Sequence, residues 1–257
     1  MQSYYFRFDY LGVKMLTQNE IKYIRSLHSA HNAKKEGRFI AEGERMVNEL
    51  LQAGMTPERL YVSAFIKLAT KSHPNISTVS NEEMKRISAL DNPSDVLAIF
   101  PRIYHAIQPL DSGTSLYLEN IQDPGNLGTI IRTAAWFGIK QVLCSEDTVS
   151  IYNNKVLQAT MGGIAYVPVA YINYDEVLLR APRELQIVAT SLNGSPLASV
   201  IFHKPTLLLF GNEGKGLSQH LLRKANLHVT IPKGEGGHGE SLNVSSAVAI
   251  LCAATVG

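Results

Sequence analysis

Short apolar runs recur through the second half of the chain, and segments with a helical pattern separate them. These runs lie at residues 114–120, 141–147, 166–172, 186–192, 205–210 and 227–231. Apolar strands that alternate with helices are typical of a mostly parallel sheet that is covered by helices on both faces. The pattern therefore predicts an α/β domain over residues 114–257, in which ligands bind beyond the carboxyl ends of the strands.

The first part of the chain has a different, mixed pattern. Its predicted elements are helices within residues 19–37, 43–54 and 81–90 and strands at residues 59–63 and 95–100. Residues 101–113 contain Pro101, Pro109 and Gly113 without a clean period, which is typical of a linker. We therefore expect a smaller α/β domain over residues 16–100, followed by that linker.

Residues 1–15 fit neither predicted domain. They are aromatic but are interrupted by Arg7 and Asp9, and they lack the apolar centre of a secretory signal. We expect a frayed N-terminal extension, or a true start further along the chain with Met15 as the initiator. No apolar run approaches the roughly 18 residues that a membrane span requires. The sequence thus predicts a cytoplasmic protein without a membrane partner.

Composition narrows the function classes only slightly. The 257 residues include 24 Lys and Arg against 22 Asp and Glu, so the net charge of +2 does not by itself indicate a nucleic-acid partner. Any such surface must be local. Cys144 and Cys252 lie far apart without a CxxC pair, which argues against a zinc site and a disulfide framework. We expect two buried cysteines and no metal.

A glycine-rich loop precedes the last predicted helix. Gly234, Gly236 and Gly239 satisfy a GxGxxG spacing, but a dinucleotide site also needs a second strand and an acidic residue about 20 residues later. The chain has no room for both, so we do not expect a Rossmann site. The nearby Gly-Lys pair at Gly214 lacks the earlier glycine of a Walker A loop. A flexible connection remains the simple alternative.

The helix after this loop favours a bound ligand instead. Ser241 and Asn243 stand at its start, where polar side chains cap a helix or meet a ligand. The body of the helix is small and apolar around most of its circumference, which predicts that it is buried against close neighbours. A buried helix that begins in this way indicates backbone amides near a bound molecule.

Two earlier segments have the same strand, turn and helix order. In the first, Asn126 is the predicted N-cap, and the Arg132 side chain leans back toward a helix start that attracts anions. The alternative is a surface arginine. In the second, Glu213 either organises the amides of its turn or lies near a ligand. Since all three turns follow strands of one predicted sheet, they can form one pocket.

Together these segments resemble a known family. In this order, NIQDPGNLGTIIRTA, LLLFGNEGKGLS and IPKGEGGHGESLNVSSAVAI resemble the three motifs of the SpoU/TrmH family of RNA ribose 2′-O-methyltransferases, in the SPOUT superfamily. The resemblance covers residues 114–257, and residues 16–100 resemble the substrate-binding domain of the ribosomal-RNA members, which is related to RNA-binding ribosomal proteins. It implies a homodimer with active sites at the subunit interface. It also implies a trefoil knot, a rare exception to the rule against threaded chains.

The resemblance further implies S-adenosylmethionine as the cofactor, bound mostly by backbone groups. The implied cofactor contacts are Leu192, Gly211, Asn212, Gly214, Ile231 and Leu242. The implied catalytic residues are Arg132, Asn126, Glu213, Ser241 and Asn243. Some family proposals make the arginine a general base, but a guanidinium normally stays charged. We therefore expect Arg132 to bind a phosphate and to stabilise alkoxide charge, the two asparagines and Ser241 to hold the ribose, and Glu213 to order Arg132 or the loops.

Two departures from the family pattern affect the last loop. The loop at residues 233–240 is longer and richer in glycine than the resemblance implies, and Lys233 stands where methionine is common. These differences concern the closure of the loop and its contacts. They do not concern the class of reaction.

The predicted RNA contacts lie in the N-terminal domain. They are Lys34, Lys35, Arg38 and Arg45, which suit phosphate contacts, although an ordinary charged helix face is the alternative. Because stand-alone transfer-RNA members lack this domain, the resemblance favours 23S ribosomal RNA as the substrate. A transfer-RNA ribose methyltransferase and a non-catalytic RNA-binding or ribosome assembly factor remain alternatives.

Overall fold

The computed structural model describes residues 4–5, 15–63, 67–68 and 75–256. The helices are α1 (Gln18–Ser26), α2 (Ala30–Glu36), α3 (Glu44–Gln52), α4 (Asn81–Ile87), α5 (Pro124–Trp136), α6 (Asn154–Thr160), α7 (Tyr174–Leu179), α8 (Gln219–Lys224) and α9 (Val244–Val256), with short 3₁₀ helices at Gly163–Ala165 and Leu197–Ser199. The strands are β1 (Tyr4–Tyr5), β2 (Arg38–Glu42), β3 (Arg59–Val62), β4 (Lys67–Leu68), β5 (Ile76–Thr78), β6 (Val96–Pro101), β7 (Thr114–Leu118), β8 (Gln141–Cys144), β9 (Val169–Tyr171), β10 (Gln186–Pro196), β11 (Thr206–Phe210) and β12 (Leu227–Thr230).

The chain forms two compact units. The first comprises residues 1–103 with residues 152–165, and the second comprises residues 104–151 with residues 166–257. The segment at residues 152–165 therefore packs with the first unit, a grouping that the sequence pattern did not indicate. Strands β1 and β4 pair antiparallel, while the rest of the predicted N-terminal extension lies outside the described residues apart from Met15.

The first unit contains a four-stranded mixed sheet. Its strand order is β2-β6-β3-β5, in which only the β3–β5 pair is parallel. The predicted strands at residues 59–63 and 95–100 correspond to β3 and β6, whereas β2 and β5 were not predicted. The helical segment predicted at residues 19–37 forms two helices, because the chain turns after α1 and Ser29 becomes the N-cap of α2.

The segment at residues 152–165 covers one edge of this sheet. The ring of Tyr152 lies 5.3 Å from the ring of Phe39 on β2, and the Tyr152 hydroxyl donates a 2.6 Å hydrogen bond to the Ile103 carbonyl. Farther along, the side-chain amide of Gln158 donates to the Glu42 carbonyl at 3.0 Å. Residues 152–158 thus contact β2 near both its start and its end.

The second unit contains a six-stranded sheet in which all neighbouring strands are parallel. Its order is β12-β10-β11-β7-β8-β9. This confirms the predicted α/β class, and each of the predicted apolar runs contributes a strand. Strands β7 and β11, at the centre, are buried at every position. Their complete burial explains why these runs are continuously apolar rather than alternating.

Strand β10 loops outward where it passes β12. Both Thr190 and Ser195 pair with Val229, so the residues between them leave the regular ladder. A Cβ atom at Gly194 would lie 2.5 Å from the Val229 backbone nitrogen. Only glycine therefore permits this close crossing of two backbones.

Helices α5 and α9 pack against each other in the second unit. On α9, Val248 and Leu251 are fully buried, whereas Ile250, Ala253 and Ala254 are exposed. The prediction that most sides of this helix are buried is therefore wrong within a single chain, because one apolar face remains uncovered. None of the helices in the described part of the chain combines the length and apolar character that a membrane crossing requires.

Candidate functional site

The first turn of the site leads from β7 into α5. The carboxylate of Asp123 accepts a 2.8 Å hydrogen bond from the Asn126 backbone amide, so Asp123 is the N-cap. The prediction that Asn126 is the N-cap is wrong, because the residue lies inside the first turn of the helix. Its side chain is therefore available for contacts with other loops.

The second turn follows β11 and is organised by Asn212. The Asn212 Oδ1 atom accepts hydrogen bonds from the amides of Gly214 and Lys215 at 2.9 and 3.2 Å. A Cβ atom at Gly211 would overlap the backbone of Gly216, so the turn folds tightly onto itself. Since Asn212 organises the amides of the turn, the carboxylate of Glu213 can bond elsewhere.

Side chains from the three predicted turns form one hydrogen-bonded chain. Asn126 Nδ2 donates to Glu213 Oε1 at 2.7 Å, and Asn243 Nδ2 donates to Asn126 Oδ1 at 2.9 Å. At the start of α9, Asn243 Oδ1 accepts from both the backbone amide and the hydroxyl of Ser245, at 2.8 and 2.6 Å. We call Glu213, Asn126, Asn243 and Ser245 the amide relay.

A cavity of about 1020 Å³ opens beside the relay, and we call it the strand-end cavity. It lies where β10, β11 and β12 end and is bounded by residues 190–192, 210–217, 229–233 and 238–242, together with side chains of α8 and α9. The predicted cofactor residues that line it are Leu192, Gly211, Asn212, Gly214, Ile231 and Leu242. The cavity has the size of a small-molecule pocket and occupies the end of the sheet where ligands of α/β domains bind.

The walls of the cavity suit a ligand with both apolar and polar parts. The Leu192 and Leu242 side chains line the cavity but remain 76% and 52% exposed, so their apolar surfaces are left uncovered by the chain. The backbone of the turn at residues 211–216 forms an adjoining wall. Exposed leucines beside backbone polar groups fit an adenosine with an amino-acid tail, as in S-adenosylmethionine.

The predicted catalytic residues are not all in one place. Glu213 and Ser241 line the strand-end cavity, and Asn126 and Asn243 belong to the amide relay. Arg132 is exposed on α5, outside the cavity wall, and makes no hydrogen bond or ion pair with the other described residues. Arg132 is thus the one predicted catalytic residue that lies in neither the cavity wall nor the amide relay.

The predicted RNA contacts of the first unit differ in availability. Lys34 and Lys35 are exposed in the last turn of α2, and Arg45 is exposed on α3. Arg38 instead forms ion pairs with Glu58 at 2.5 Å and with a second carboxylate on Glu36 at 3.4 Å. The hydrogen bond that Arg38 donates to Glu58 raises the pKa of the guanidinium. Three of the four predicted cations thus remain open to a partner.

Sequence reasoning did not single out two residues of the site. Ser245 was missed, although a hydroxyl two residues after a capping asparagine is a local signal for a shared acceptor. Asn120 was also missed. Its backbone has a positive φ of 54°, and its carbonyl accepts a 2.9 Å hydrogen bond from Asn212 Nδ2, which holds the turn after β11 beside the end of β7.

The chain is similar to known proteins over most of its length. Residues 113–253 match the SpoU rRNA Methylase family, and residues 18–98 match the MRM3-like substrate binding domain. The chain is 28% identical over 244 residues to the 23S rRNA (guanosine(2553)-2′-O)-methyltransferase RlmP of Bacillus subtilis, and the match covers 93% of this chain and 96% of that protein. It is 32% identical over 250 residues to the uncharacterized tRNA/rRNA methyltransferase slr1673 of Synechocystis, covering 91% and 90%.

A solved structure extends the likeness to the whole fold. The crystal structure of an AdoMet-bound rRNA methyltransferase from Sinorhizobium meliloti superposes with a TM-score of 0.81 at 29% identity. The superposition covers 95% of this chain and 96% of that one. Both units therefore have counterparts in a single known protein.

Proposed function

The chain belongs to the SpoU rRNA Methylase family and is an S-adenosylmethionine-dependent RNA 2′-O-methyltransferase, and we propose that it methylates a ribose of 23S ribosomal RNA. The observation that carries the proposal is the meeting of three sequence-distant turns at the strand-end cavity through the amide relay. The substrate follows from the likeness to RlmP and from the match of the first unit to a substrate-binding domain. A cytoplasmic location is part of the proposal.

The strand-end cavity is the proposed cofactor site. Leu192 and Leu242 would cover the apolar surface of the adenosine, and the backbone of Gly211 and Gly214 would bond its polar edge. Bound S-adenosylmethionine supplies an electrophilic methyl group. The backbone contribution explains why apolar residues and glycines, rather than charged side chains, dominate this wall.

The proposed chemistry is positioning together with charge stabilisation. A ribose hydroxyl is a poor nucleophile until its oxygen gains negative charge. Asn126 and Asn243 each retain one amide hydrogen beyond the relay and would donate it to the ribose or its phosphate, with the Ser241 hydroxyl beside them. Because a guanidinium stays charged, Arg132 would stabilise the developing alkoxide and bind the adjacent phosphate rather than take up a proton.

We propose a homodimer whose interface includes the outer face of α5 and α9. On this face, Trp136 is 85% exposed and Ile250 is 38% exposed, beside the exposed Ala253 and Ala254. Large exposed apolar side chains on two packed helices are typical of a subunit interface. Arg132 lies on the same exposed stripe of α5 as Trp136, so a second copy would bring a strand-end cavity toward it.

A trefoil knot is part of the same proposal. The order β12-β10-β11 and the close approach of Gly194 to Val229 support it, since the last strand pairs with β10 and not with β11, the strand before it in the chain. A knotted C-terminal segment would hold the turn at residues 231–243 against the cavity.

The experiment that tests the function uses purified protein, labelled S-adenosylmethionine, and either 23S ribosomal RNA or transfer RNA. We expect label on 23S ribosomal RNA, with 2′-O-methyl mapping giving one ribose. Label on transfer RNA alone would show that transfer RNA is the substrate, and the proposed methylation of a ribose would still hold. Equilibrium titration that detects no S-adenosylmethionine binding would instead favour a non-catalytic RNA-binding or assembly factor.

Salt dependence tests the RNA surface of the first unit. Replacing both Lys34 and Lys35 with alanine should weaken RNA binding and lower the slope of log K against log salt by about 1.4–1.8, the change expected for two phosphate contacts. Arg38→Ala is the matched control, because that guanidinium is already paired with Glu58. A slope that the lysine replacements leave unchanged would show that Lys34 and Lys35 do not contact RNA phosphates.

A further inference from the structure

The amide relay has a fixed polarity, and both of its ends determine it. At α9, the backbone N–H of Ser245 only donates, so the Asn243 side chain must present its oxygen there and its nitrogen to Asn126. At the other end, the carboxylate of Glu213 accepts, so Asn126 must present its nitrogen to Glu213. The two ends require the same orientation, and neither asparagine can flip without losing bonds at both of its sides.

This polarity decides what the relay offers to a substrate. Each asparagine uses one amide hydrogen within the relay and keeps the second. The relay therefore presents hydrogen-bond donors beside the cavity, which suit a hydroxyl oxygen or a phosphate oxygen. A flipped Asn243 would present its carbonyl oxygen, which cannot donate a hydrogen bond to these atoms.

The hydroxyl of Ser245 strengthens this orientation. Its Oγ donates to Asn243 Oδ1 at 2.6 Å, which is shorter than the bond from the backbone amide at 2.8 Å. Two donors on one oxygen satisfy both of its lone pairs and hold the side chain in one rotamer. Without the hydroxyl, Asn243 would keep its bonds to the Ser245 backbone amide and to Asn126, and two hydrogen bonds would hold its side chain instead of three.

We propose that Ser245 is a positioning residue that acts on the RNA through Asn243 and the relay. This inference rests on the proposed RNA methylation. Ser245 does not line the strand-end cavity, so its contribution concerns the orientation of the ribose and not cofactor binding. It should therefore affect kcat or the KM for RNA, and leave the Kd for S-adenosylmethionine unchanged.

An isosteric pair of variants tests the hydroxyl directly. Ser245→Thr keeps the hydroxyl and Ser245→Val has the same shape without it, so both place a branched side chain at the same helix position. We expect the threonine variant to retain activity within about threefold and the valine variant to lose about tenfold in kcat/KM for RNA, the effect of one hydrogen bond. Both should bind S-adenosylmethionine as the wild type does.

Coupling with Glu213 separates positioning from a local structural effect. If Ser245 acts through the relay, the tenfold loss should shrink to about twofold in a Glu213→Gln background, because the far end of the relay is already weakened. Ser199→Ala is the control, since its exposed hydroxyl donates to the local Pro196 carbonyl and lies outside the relay. Equal activity of the threonine and valine variants, or losses that multiply with Glu213→Gln, would overturn the role of Ser245. A wild type without methylation activity would instead overturn the proposed function.

Discussion

Asn126 and Glu213 lie 87 positions apart in the sequence, yet a 2.7 Å hydrogen bond joins the amide of one to the carboxylate of the other. Asn126 lies in the first turn of the helix after β7, and Glu213 follows β11, which is the parallel neighbour of β7 in the sheet. Because the carboxyl ends of neighbouring parallel strands meet at one edge, the two turns are brought within bonding distance. The relay is thus a product of strand order.

The first prediction concerns an exchange of the amide and the carboxylate that this bond joins. Asn126→Asp places two carboxylates in contact, and their repulsion should break the relay and lower kcat/KM about a hundredfold, as for the loss of a preorganised donor. Adding Glu213→Gln restores a donor opposite the introduced carboxylate and should recover at least about tenfold of that loss. Single-turnover methylation of 23S ribosomal RNA measures both. A double variant no better than the single one would contradict a direct functional bond between these residues.

Arg132 should contribute to turnover without contributing to cofactor binding. Its side chain lies outside the wall of the strand-end cavity, so Arg132→Ala and Arg132→Lys should bind S-adenosylmethionine with the wild-type Kd by calorimetry. Both should lower kcat, by about a hundredfold for alanine, because stabilisation of transition-state charge is lost. A lysine variant with full activity would show that a point charge is sufficient and that the planar guanidinium is not required.

Trp136 should control the oligomeric state. Trp136→Glu places a charge on the exposed apolar face of α5 and α9, and it should weaken dimerisation about a hundredfold or more, as for the loss of an aromatic hot spot. Light scattering after size-exclusion chromatography measures the mass. Leu179→Glu is the control, since Leu179 is 87% exposed on α7, away from this face. Dimers that persist in the Trp136 variant would place the interface elsewhere.

Gly194 should be required for stability, whereas Gly234 should not. A Cβ atom at Gly194 would lie 2.5 Å from the backbone of Val229, and overpacking of about 1–3 kcal/mol corresponds to a Tm lower by about 2–12 °C. At Gly234, a Cβ atom meets nothing within 4 Å, so the Gly234→Ala variant should have the same Tm as the wild type. Differential scanning calorimetry compares them. Equal melting temperatures would show that the crossing of β10 and β12 can relax.

The two cysteines should resist thiol reagents until the protein unfolds. Burial raises the pKa of Cys252 to about 12 and raises the pKa of Cys144 further, which favours the unreactive thiol. Both thiols therefore bind their protons more tightly in the folded state than in the unfolded state. Their contribution to the free energy of unfolding is complete below about pH 8.5 and declines as the pH rises above it. Ellman's reagent at pH 8 should detect both thiols only in guanidinium. Rapid labelling of the native protein would contradict their burial.

The sequence by itself determined the elements of the catalytic domain and most of the candidate residues. Continuous apolar runs predicted β7 to β12 because a parallel sheet buries both faces of its strands, a property that each run carries locally. Asn126, Glu213 and Asn243 could also be selected from local pattern, since each stands in the sequence near a polar turn that follows a strand or precedes a helix. The cysteines were predicted to be buried, and they are.

Only the tertiary structure decided how these residues act together. The N-cap of α5 is Asp123 and not Asn126, so the Asn126 side chain is available to bond Glu213. Residues 152–165 joined the first unit, and one apolar face of α9 stayed uncovered, although neither outcome is visible in the local pattern. The bond between Asn243 and Asn126 spans 117 positions. Contacts at such separations depend on strand order and packing, and a local pattern of polar and apolar residues does not encode either one.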